Sequence, residues 1–299
     1  MRTLRLATRR SPLALLQARH VQDRLAAIGV EAVLVEMHTS GDVRADAPLR
    51  QLGGQGAFAV EVQRAVLSGE ADVAVHSAKD LPSTTPEGLA LVCVPERRDA
   101  RDVLVGRSLA GLGPGATVAT GSPRRRALLL ERRPDVNVVE LRGNMARRLA
   151  TPGRDGVDAV VAAAAALERL GETHRVAELL DPTWFVPQVG QGALALEVRD
   201  GDLEATDALA SLNDAAAFAA LSAERAYLRE LGAGCAVPAG AYATWSAGAL
   251  SLSGLMIAYD GSRSVRDVAS GREPEELGRG LARRLRDELG GASLPGWRS

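Results

Sequence analysis

The sequence predicts an α/β protein with mostly parallel sheets, followed by a small C-terminal α+β unit. The first observation is that short apolar strands alternate with helical stretches from Leu4 to about Val161. The second is a change of pattern beyond Asp214, where one long helix precedes three alternating stretches and a final amphipathic helix. Strands separated by helices at this spacing pair in parallel, because a parallel connection needs a crossover of that length.

Length and composition place the chain among globular proteins of more than one domain. It has 299 residues, of which 46% are hydrophobic and 24% charged, and a formal net charge of -1. Because the charges balance, the chain has no overall field for nucleic acid or a membrane surface. Aromatic residues make up only 3%, too few to interleave a basic stripe. Lys79 is the only lysine, so clustered arginines are the informative cations.

The N-terminus and the cysteines favour a cytoplasmic protein. No stretch reaches the roughly 20 apolar residues of a membrane helix, and Met1 to Thr8 alternates like a strand instead of forming an export signal. Two cysteines, Cys93 and Cys235, are too few for a disulfide framework. No His/Cys spacing suits zinc, so we expect no metal.

The first α/β unit is predicted over residues 1–94, and residues 193–212 complete it after a return crossing at 182–192. Ser11-Pro12 begins its first helix, and Gly29 ends it. Residues 39–56 lack any periodicity, and we expect 44–56 to form a lid. The other predicted elements are a strand ending near Thr8, strand Glu31–His38, helix Ala57–Leu67, and strands Ala71–Val75 and Leu89–Val94.

A polar break at residues 95–101 predicts a hinge before a second α/β unit, residues 98–186, and a third unit covers 215–299. Predicted elements of the second unit are strand Thr117–Ala119, helix Pro123–Arg132, strand Val136–Leu141, a helix from about Asn144, strand Asp158–Val161, and helices Ala163–Leu170 and His174–Leu179. Those of the third are helix Ala215–Leu231, the alternating stretches Ala239–Ala243, Leu250–Tyr259 and Ser264–Val268, and helix Pro274–Leu289.

Polar side chains follow the strand that ends near Val75. His76, Ser77, Lys79 and Asp80 come directly after it. Ligands of open α/β sheets bind at this carboxyl edge of the strands. The sequence therefore predicts a functional site here, with a solvated turn carrying a Lys79–Asp80 surface pair as the alternative.

Arginines gather at several other strand ends. Ser122 is predicted to cap a helix that starts at Pro123, so free backbone N–H groups and neighbouring arginines would form an anion site, with a basic solvated face as the alternative. The arginines at or near strand ends are Arg9, Arg124, Arg125, Arg142, Arg148 and Arg169. Together they indicate a small polyanion as ligand.

The two cysteines have different surroundings. Cys235 lies between Gly234 and Ala236, and such small neighbours leave a sulfur accessible for nucleophilic or tethering chemistry, with an incidental thiol as the alternative. Cys93 lies within the apolar stretch Leu91–Val94 and is predicted to be a buried small hydrophobe.

Taken together, these stretches resemble the porphobilinogen deaminase family along essentially the whole chain. The stretches that carry the resemblance are Leu6–Arg9 with Ser11–Leu15, His38–Asp42, Gly53–Gly56, Val75–Pro82, Leu141–Asn144, Val189–Ala193, Ala223–Ala226 and Gly234–Pro238. The resemblance implies two periplasmic-binding-protein-like domains with a cleft between them and a third domain that carries the cofactor cysteine.

The resemblance also implies an activity and its cofactor. Family members hold a dipyrromethane through a cysteine thioether, here Cys235, and add four porphobilinogen molecules with loss of ammonia to give hydroxymethylbilane. Loss of ammonia leaves a cationic azafulvene, which a carboxylate would stabilise. The substrate is small and anionic, and we expect a monomer that binds neither nucleic acid nor membrane.

The family's motifs assign roles to individual residues. Asp80 matches the catalytic aspartate. The positions matched to cofactor binding are Cys235, Lys79, Ser122, Arg124, Arg125, Arg142 and Arg148. The positions matched to substrate binding are Arg9, Ser11 and Arg169. The chain departs from the usual family pattern at Gln55, Gly121, Pro123, Ala166 and Ala236.

Two other classes of protein fit parts of the sequence. A non-catalytic, two-lobed binding protein for an organic polyanion would satisfy the first 212 residues, but it needs neither Asp80 nor Cys235. An arginine-rich nucleic-acid module would need a net positive charge that the chain lacks. Intact mass separates the first from an enzyme with a covalent cofactor.

Overall fold

The computed structural model describes residues 2–37, 59–232 and 237–297, which contain three sheets. The strands are β1 Leu4–Arg9, β2 Ala32–Met37, β3 Val73–Ser77, β4 Leu89–Cys93, β5 Asp102–Val105, β6 Thr117–Ala119, β7 Asn137–Val139, β8 Ala159–Ala163, β9 Val176–Leu179, β10 Leu194–Arg199, β11 Ala239–Ser246, β12 Ala249–Ile257 and β13 Ser264–Gly271. The α-helices are α1 Pro12–Ala26, α2 Val60–Leu67, α3 Pro123–Arg132, α4 Met145–Leu149, α5 Ala164–Leu170, α6 Leu203–Ala210, α7 Ala215–Glu230 and α8 Pro274–Arg283.

The two large sheets have the same strand arrangement. The first has the order β2-β1-β3-β10-β4 and the second β7-β6-β8-β5-β9. In each, the strand in the fourth place, β10 or β5, runs antiparallel to both its neighbours, and the other pairings are parallel. The third sheet, β11-β12-β13, is antiparallel. The predicted class, two mostly parallel α/β units and a small α+β unit, is confirmed.

Each sheet buries apolar side chains against its helices. In the first, Leu6 and Leu196 pack with Leu25 of α1 and Leu209 of α6, all fully buried. Burying one such side chain stabilises the fold by about 1.5–3 kcal/mol. In the second, Leu128 of α3 belongs to a cluster that includes residues of β12, so the second and third sheets share a core.

Two segments connect the first and second sheets, residues 95–101 (the first crossing) and 182–192 (the second crossing), and they meet beside the turn that follows β3. Gly190 and Gly192 lie in the second crossing with φ of +72° and +88°, where glycine is favoured. A Cβ at Gly190 would lie 2.9 Å from the carbonyl carbon of Ala78, and one at Gly192 would lie 2.3 Å from the carbonyl oxygen of Arg98. These glycines therefore allow the second crossing to fit between the turn after β3 and the first crossing.

One predicted helix is wrong. Residues His174–Leu179 were expected to be helical, but a 3₁₀ turn at Thr173–Arg175 leads into β9. Pairing with β5 at the sheet edge overrides the local helical pattern. Strands β5 and β10 and helix α6 were not predicted. The expected lid, 44–56, lies outside the described residues, and the domain bounds stay a prediction.

Candidate active site

Asp80 and Arg9 meet at the carboxyl edge of the first sheet. The strands β1 and β3 are parallel neighbours, so the residues that follow them come to the same edge. A 3₁₀ turn, Ala78–Asp80, follows β3 directly. A guanidinium nitrogen of Arg9 lies 3.8 Å from a carboxylate oxygen of Asp80, whose side chain is 35% exposed. The Asp80 carboxylate is therefore accessible to solvent while a cation lies beside it.

Lys79 lies under this edge, close to other cations. Its Nζ donates to Oε1 of Gln191 over 3.4 Å. Loss of solvent around the ammonium, and then the charge of Arg125, lower the pKa of Lys79 to about 8, while Asp80 and Asp102 act in the opposite direction. Burial is thus the main reason for the lowered pKa of the only lysine of the chain, and a carboxylate added beside it would favour its charged form.

Arg124 and Arg125, in the first turn of α3, are held by one buried carboxylate. Asp102 of β5 accepts from Arg124 over 2.7 Å and from Nε of Arg125 over 3.0 Å. Burial alone would raise the pKa of the Asp102 carboxyl, but the two guanidinium groups outweigh it and hold this pKa below its usual range. Arg124 also donates to the carbonyl of Val186, while its Nε is buried and lacks a partner among the described residues.

Arg142 and Arg148 lie at the turn between β7 and α4. Nε of Arg148 donates to the carbonyl of Gly143 over 2.8 Å, and Arg142 pairs with Glu140. Burial, then the charge of Arg125, lowers the pKa of Arg148, with Asp80 acting in the opposite direction. Arg148 is therefore close enough to both Arg125 and Asp80 for their charges to act on it.

The remaining predicted residues have structural contacts of their own. The hydroxyl oxygens of Ser11 and Ser122 cap α1 and α3, accepting from the backbone N–H of Ala14 and of Arg125. Arg169 of α5 donates to the carbonyl of Gly192 over 2.8 Å, and burial lowers its pKa to about 10. Arg169 is thus anchored at the second crossing. Cys235 lies outside the described residues.

A small cavity of about 20 Å³ lies between the turn after β3, the start of α3 and the start of β11. Among its lining residues are Lys79, Ser122, Arg124, Arg225 and Val237. Three of the lining residues, Lys79, Arg124 and Arg225, carry a positive charge. This donor set suits a ligand that carries several carboxylates, and the cavity borders Val237, two residues after Cys235 in the chain.

Asp102 and Gln191 belong to this site although the sequence analysis assigned them no role. Asp102 binds both Arg124 and Arg125, and Gln191 contacts Lys79, Arg125 and Asp102. Gln191 lies in the Val189–Ala193 stretch that carries the family resemblance, which was a signal for it. Asp102 follows a charged break without a motif of its own.

Two kinds of feature are not found among the described residues. None of their helices has both the length and the apolar character needed to cross a bilayer. No group of three or more His, Cys, Asp or Glu side chains within 2–37, 59–232 and 237–297 is placed to hold a metal ion.

Comparison with solved structures gives alignments of limited similarity. The methionine binding protein MetQ aligns with a TM-score of 0.44 at 12% identity, covering 70% of this chain and 89% of that one. A periplasmic substrate-binding protein of an ABC transporter from Coxiella burnetii aligns with a TM-score of 0.45 at 14% identity, covering 75% and 97%.

Comparison with protein families and curated relatives covers nearly the whole chain. The model for the porphobilinogen deaminase dipyrromethane cofactor binding domain matches residues 4–207, and the model for the C-terminal domain of porphobilinogen deaminase matches 218–287. A porphobilinogen deaminase of Pelobacter propionicus is 46% identical over 98% of this chain and 96% of its own length. That of Roseiflexus castenholzii is 44% identical over 98% and 99%. The chain therefore belongs to the porphobilinogen deaminase family, a family of transferases with a dipyrromethane cofactor domain.

Proposed function

We propose that this member of the family joins four porphobilinogen molecules, with release of ammonia, at the edge where Asp80 meets Arg9 and Lys79. The observation that carries the proposal is one accessible carboxylate surrounded by cations at the carboxyl ends of β1 and β3. The surrounding cations bind the carboxylates of anionic pyrroles. The carboxylate of Asp80 stabilises the positive charge that develops during the reaction. The product is hydroxymethylbilane.

We propose that the cofactor is held through a thioether at Cys235 and by the cations of the cavity. A dipyrromethane has two acetate and two propionate side chains, and when bound it supplies the pyrrole carbon to which the chain is extended. The residues proposed to hold its carboxylates are Lys79, Ser122, Arg124, Arg125, Arg142 and Arg148. Since Asp102 already binds Arg124 and Arg125, we expect these two to contribute orientation and the remaining cations to contribute most of the charge.

Asp80 is proposed as the catalytic residue. When ammonia leaves porphobilinogen, positive charge develops on the pyrrole, and a nearby carboxylate stabilises it. A carboxylate within hydrogen-bond reach can also donate a proton to the leaving amine or accept one from the condensing ring. With 35% of its side chain exposed, Asp80 can reach a ligand in the cleft without a change of fold.

Arg9, Ser11 and Arg169 are proposed to bind the carboxylates of the incoming substrate. Arg9 is the best placed, because its guanidinium lies beside Asp80 and its side chain is 21% exposed. A substrate carboxylate on Arg9 would hold the reacting carbon near Asp80, and such positioning lowers the entropic part of the barrier. We further propose that the enzyme acts as a cytoplasmic monomer.

Intact mass and an assay of porphobilinogen consumption test this function directly. The purified full chain is expected to weigh more than its translated sequence by about two pyrrole units and to consume porphobilinogen. Cys235→Ser is expected to lose both the added mass and the activity. Cys93→Ala is the matched control, because Cys93 is fully buried in β4 and should leave the added mass in place.

The same measurements separate the enzyme from a binding protein for an organic polyanion. A binding protein would have the bare chain mass and would not consume porphobilinogen. If Cys235→Ser carried the normal added mass, the tether would lie elsewhere and the assignment of Cys235 would be wrong.

A further inference from the structure

The tripeptide Gly190-Gln191-Gly192 lies in the second crossing and contacts both the candidate site and the first crossing. The backbone N–H of Gly190 donates to the buried Glu224 over 2.7 Å. The carbonyl of Gln191 accepts from Nε of Arg97 over 2.9 Å, and that of Gly192 accepts from Arg169. The backbone on both sides of Gln191 is thus fixed by groups from three other parts of the fold, so its side chain has a defined direction.

The Gln191 side chain is fully buried and has partners at both ends of its amide. Its Oε1 accepts from Nζ of Lys79 over 3.4 Å and from Arg125 over 3.3 Å. Its Nε2 donates to the carbonyl of Ala100 over 2.7 Å and to a carboxylate oxygen of Asp102 over 3.0 Å. The Gln191 amide therefore connects Lys79, which follows β3, with Arg125 of α3 and Asp102 of β5.

The amide oxygen of Gln191 is a neutral acceptor placed between two cations, Lys79 and Arg125. The amide oxygen stabilises the Lys79 ammonium and the Arg125 guanidinium through its dipole, but it does not neutralise either charge. A carboxylate in its place would pair with both cations and compete with ligand carboxylates. A hydrocarbon in its place would leave the ammonium with one acceptor fewer in a poorly solvated position.

We propose that Gln191 is a positioning residue that holds the Lys79 ammonium and the Arg125 guanidinium side by side, so that the charged pair is oriented toward one carboxylate of the bound oligopyrrole. The inference rests on the proposed function for the identity of that carboxylate. The hydrogen bonds from the Gln191 amide to Ala100 and Asp102 link this pair of cations to the first crossing and to β5. The placement of the two sheets therefore sets the distance between the two cations.

The only lysine of the chain allows a direct test. The full chain, with its bound adduct, is treated with acetic anhydride across a pH series, and peptide masses separate acetylation of Lys79 from that of the N-terminal amine. In Gln191→Leu we expect the Lys79 labelling rate at neutral pH to rise about threefold, because the ammonium loses an acceptor. Turnover per adduct-bearing chain should fall about tenfold as the cation pair loses its alignment.

Gln191→Glu is expected to change the Lys79 labelling rate in the opposite direction. It also keeps the proposal testable if the leucine variant does not fold. An added carboxylate beside Lys79 favours the ammonium, so labelling should become slower and its pH midpoint should move upward. Turnover per adduct-bearing chain should fall, because the new carboxylate competes with the carboxylate of the bound oligopyrrole. A merely structural role for Gln191 would not move the two variants in opposite directions.

Gln63→Leu is the matched control. Gln63 is a buried glutamine of α2 whose Nε2 donates to Glu197 over 2.8 Å, away from Lys79. This variant should lower Tm while it leaves Lys79 labelling unchanged. The proposal is overturned if both Gln191 variants keep wild-type labelling and turnover, or if both shift labelling in the same direction. Failure of the proposed function would instead appear in the wild type, as a bare chain mass without porphobilinogen consumption.

Discussion

The two large sheets contain equivalent strand-to-helix turns that place their arginines differently. β1 leads to α1, and β6 leads to α3. The strands β1 and β6 each occupy the second place in their sheet, and the two sheets have equivalent strand arrangements. Both turns have a serine cap followed by proline at the first helical position. In the first turn, Arg9 precedes the cap and lies partly exposed beside Asp80. In the second, Arg124 and Arg125 follow the cap and are buried against Asp102.

The difference shows how the position of an arginine relative to the cap decides its use. An arginine before the cap extends beyond the sheet edge, where ligands bind. Arginines in the first helical turn oppose the helix dipole and lie close to the sheet, so they need a buried anion, which Asp102 provides. The first turn therefore offers its charge to a ligand, whereas the second uses much of its charge within the fold.

The largest expected effect is on turnover, through the first turn. In Asp80→Asn the side chain keeps its shape but loses the charge that stabilises the developing cation. We expect kcat to fall roughly 10²- to 10⁴-fold. Tm should change little, because the Arg9–Asp80 pair is partly exposed and separated by 3.8 Å. Steady-state kinetics and thermal unfolding measure the two effects.

Intact mass provides the control for this variant. Chains that carry the added mass are counted, and turnover is expressed per such chain, so that poor cofactor assembly is not mistaken for slow chemistry. Wild-type turnover per adduct-bearing chain in Asp80→Asn would exclude a catalytic role for Asp80.

The second expected effect is on stability, through the second turn. Asp102→Ala leaves two buried guanidinium groups without their carboxylate, and removing one partner of a buried ion pair costs about 3–5 kcal/mol. Asp99→Ala, in the first crossing just before β5, is the matched control. Asp99 also binds an arginine, Arg101, but both side chains are substantially exposed, so about 0–1 kcal/mol is expected. Urea unfolding measures both, and equal losses would contradict the proposed difference between buried and exposed pairs.

The sequence predicted much of the fold because most strands and helices carry local signals. The caps at Ser11 and Ser122 fixed the starts of α1 and α3. Strands β5 and β10 escaped prediction because their pairing is set by distant partners: each lies between two antiparallel neighbours, and Asp102–Val105 and Leu194–Arg199 follow irregular crossings. The false helix at His174–Leu179 has the same cause, since only pairing with β5 makes its second half a strand.

The candidate site was predictable where a motif names a residue and unpredictable where a contact depends on the tertiary fold. Arg9 ends β1, Lys79 and Asp80 follow β3, and parallel strands bring these ends together. The sequence could not indicate that Arg124 and Arg125 share Asp102, because Asp102 approaches them from an unpredicted strand. Gln191 was part of a recognised stretch, but its role became apparent only when both crossings were seen to meet.

The smallest expected effect tests whether the two turns are equivalent in the helix caps themselves. Ser11→Ala and Ser122→Ala each remove one hydroxyl that accepts a backbone N–H at a helix start, and each should lower the free energy of unfolding by about 1 kcal/mol. Ser262→Ala, in an exposed turn, is the control for loss of a hydroxyl away from an α-helix start. Urea unfolding of the three variants gives the comparison. A loss at Ser122 several times that at Ser11 would mean that the cap also aligns Arg124 and Arg125 with Asp102. The arginines after the second cap would then depend on Ser122 as well as on their buried carboxylate, and the two turns would not be equivalent.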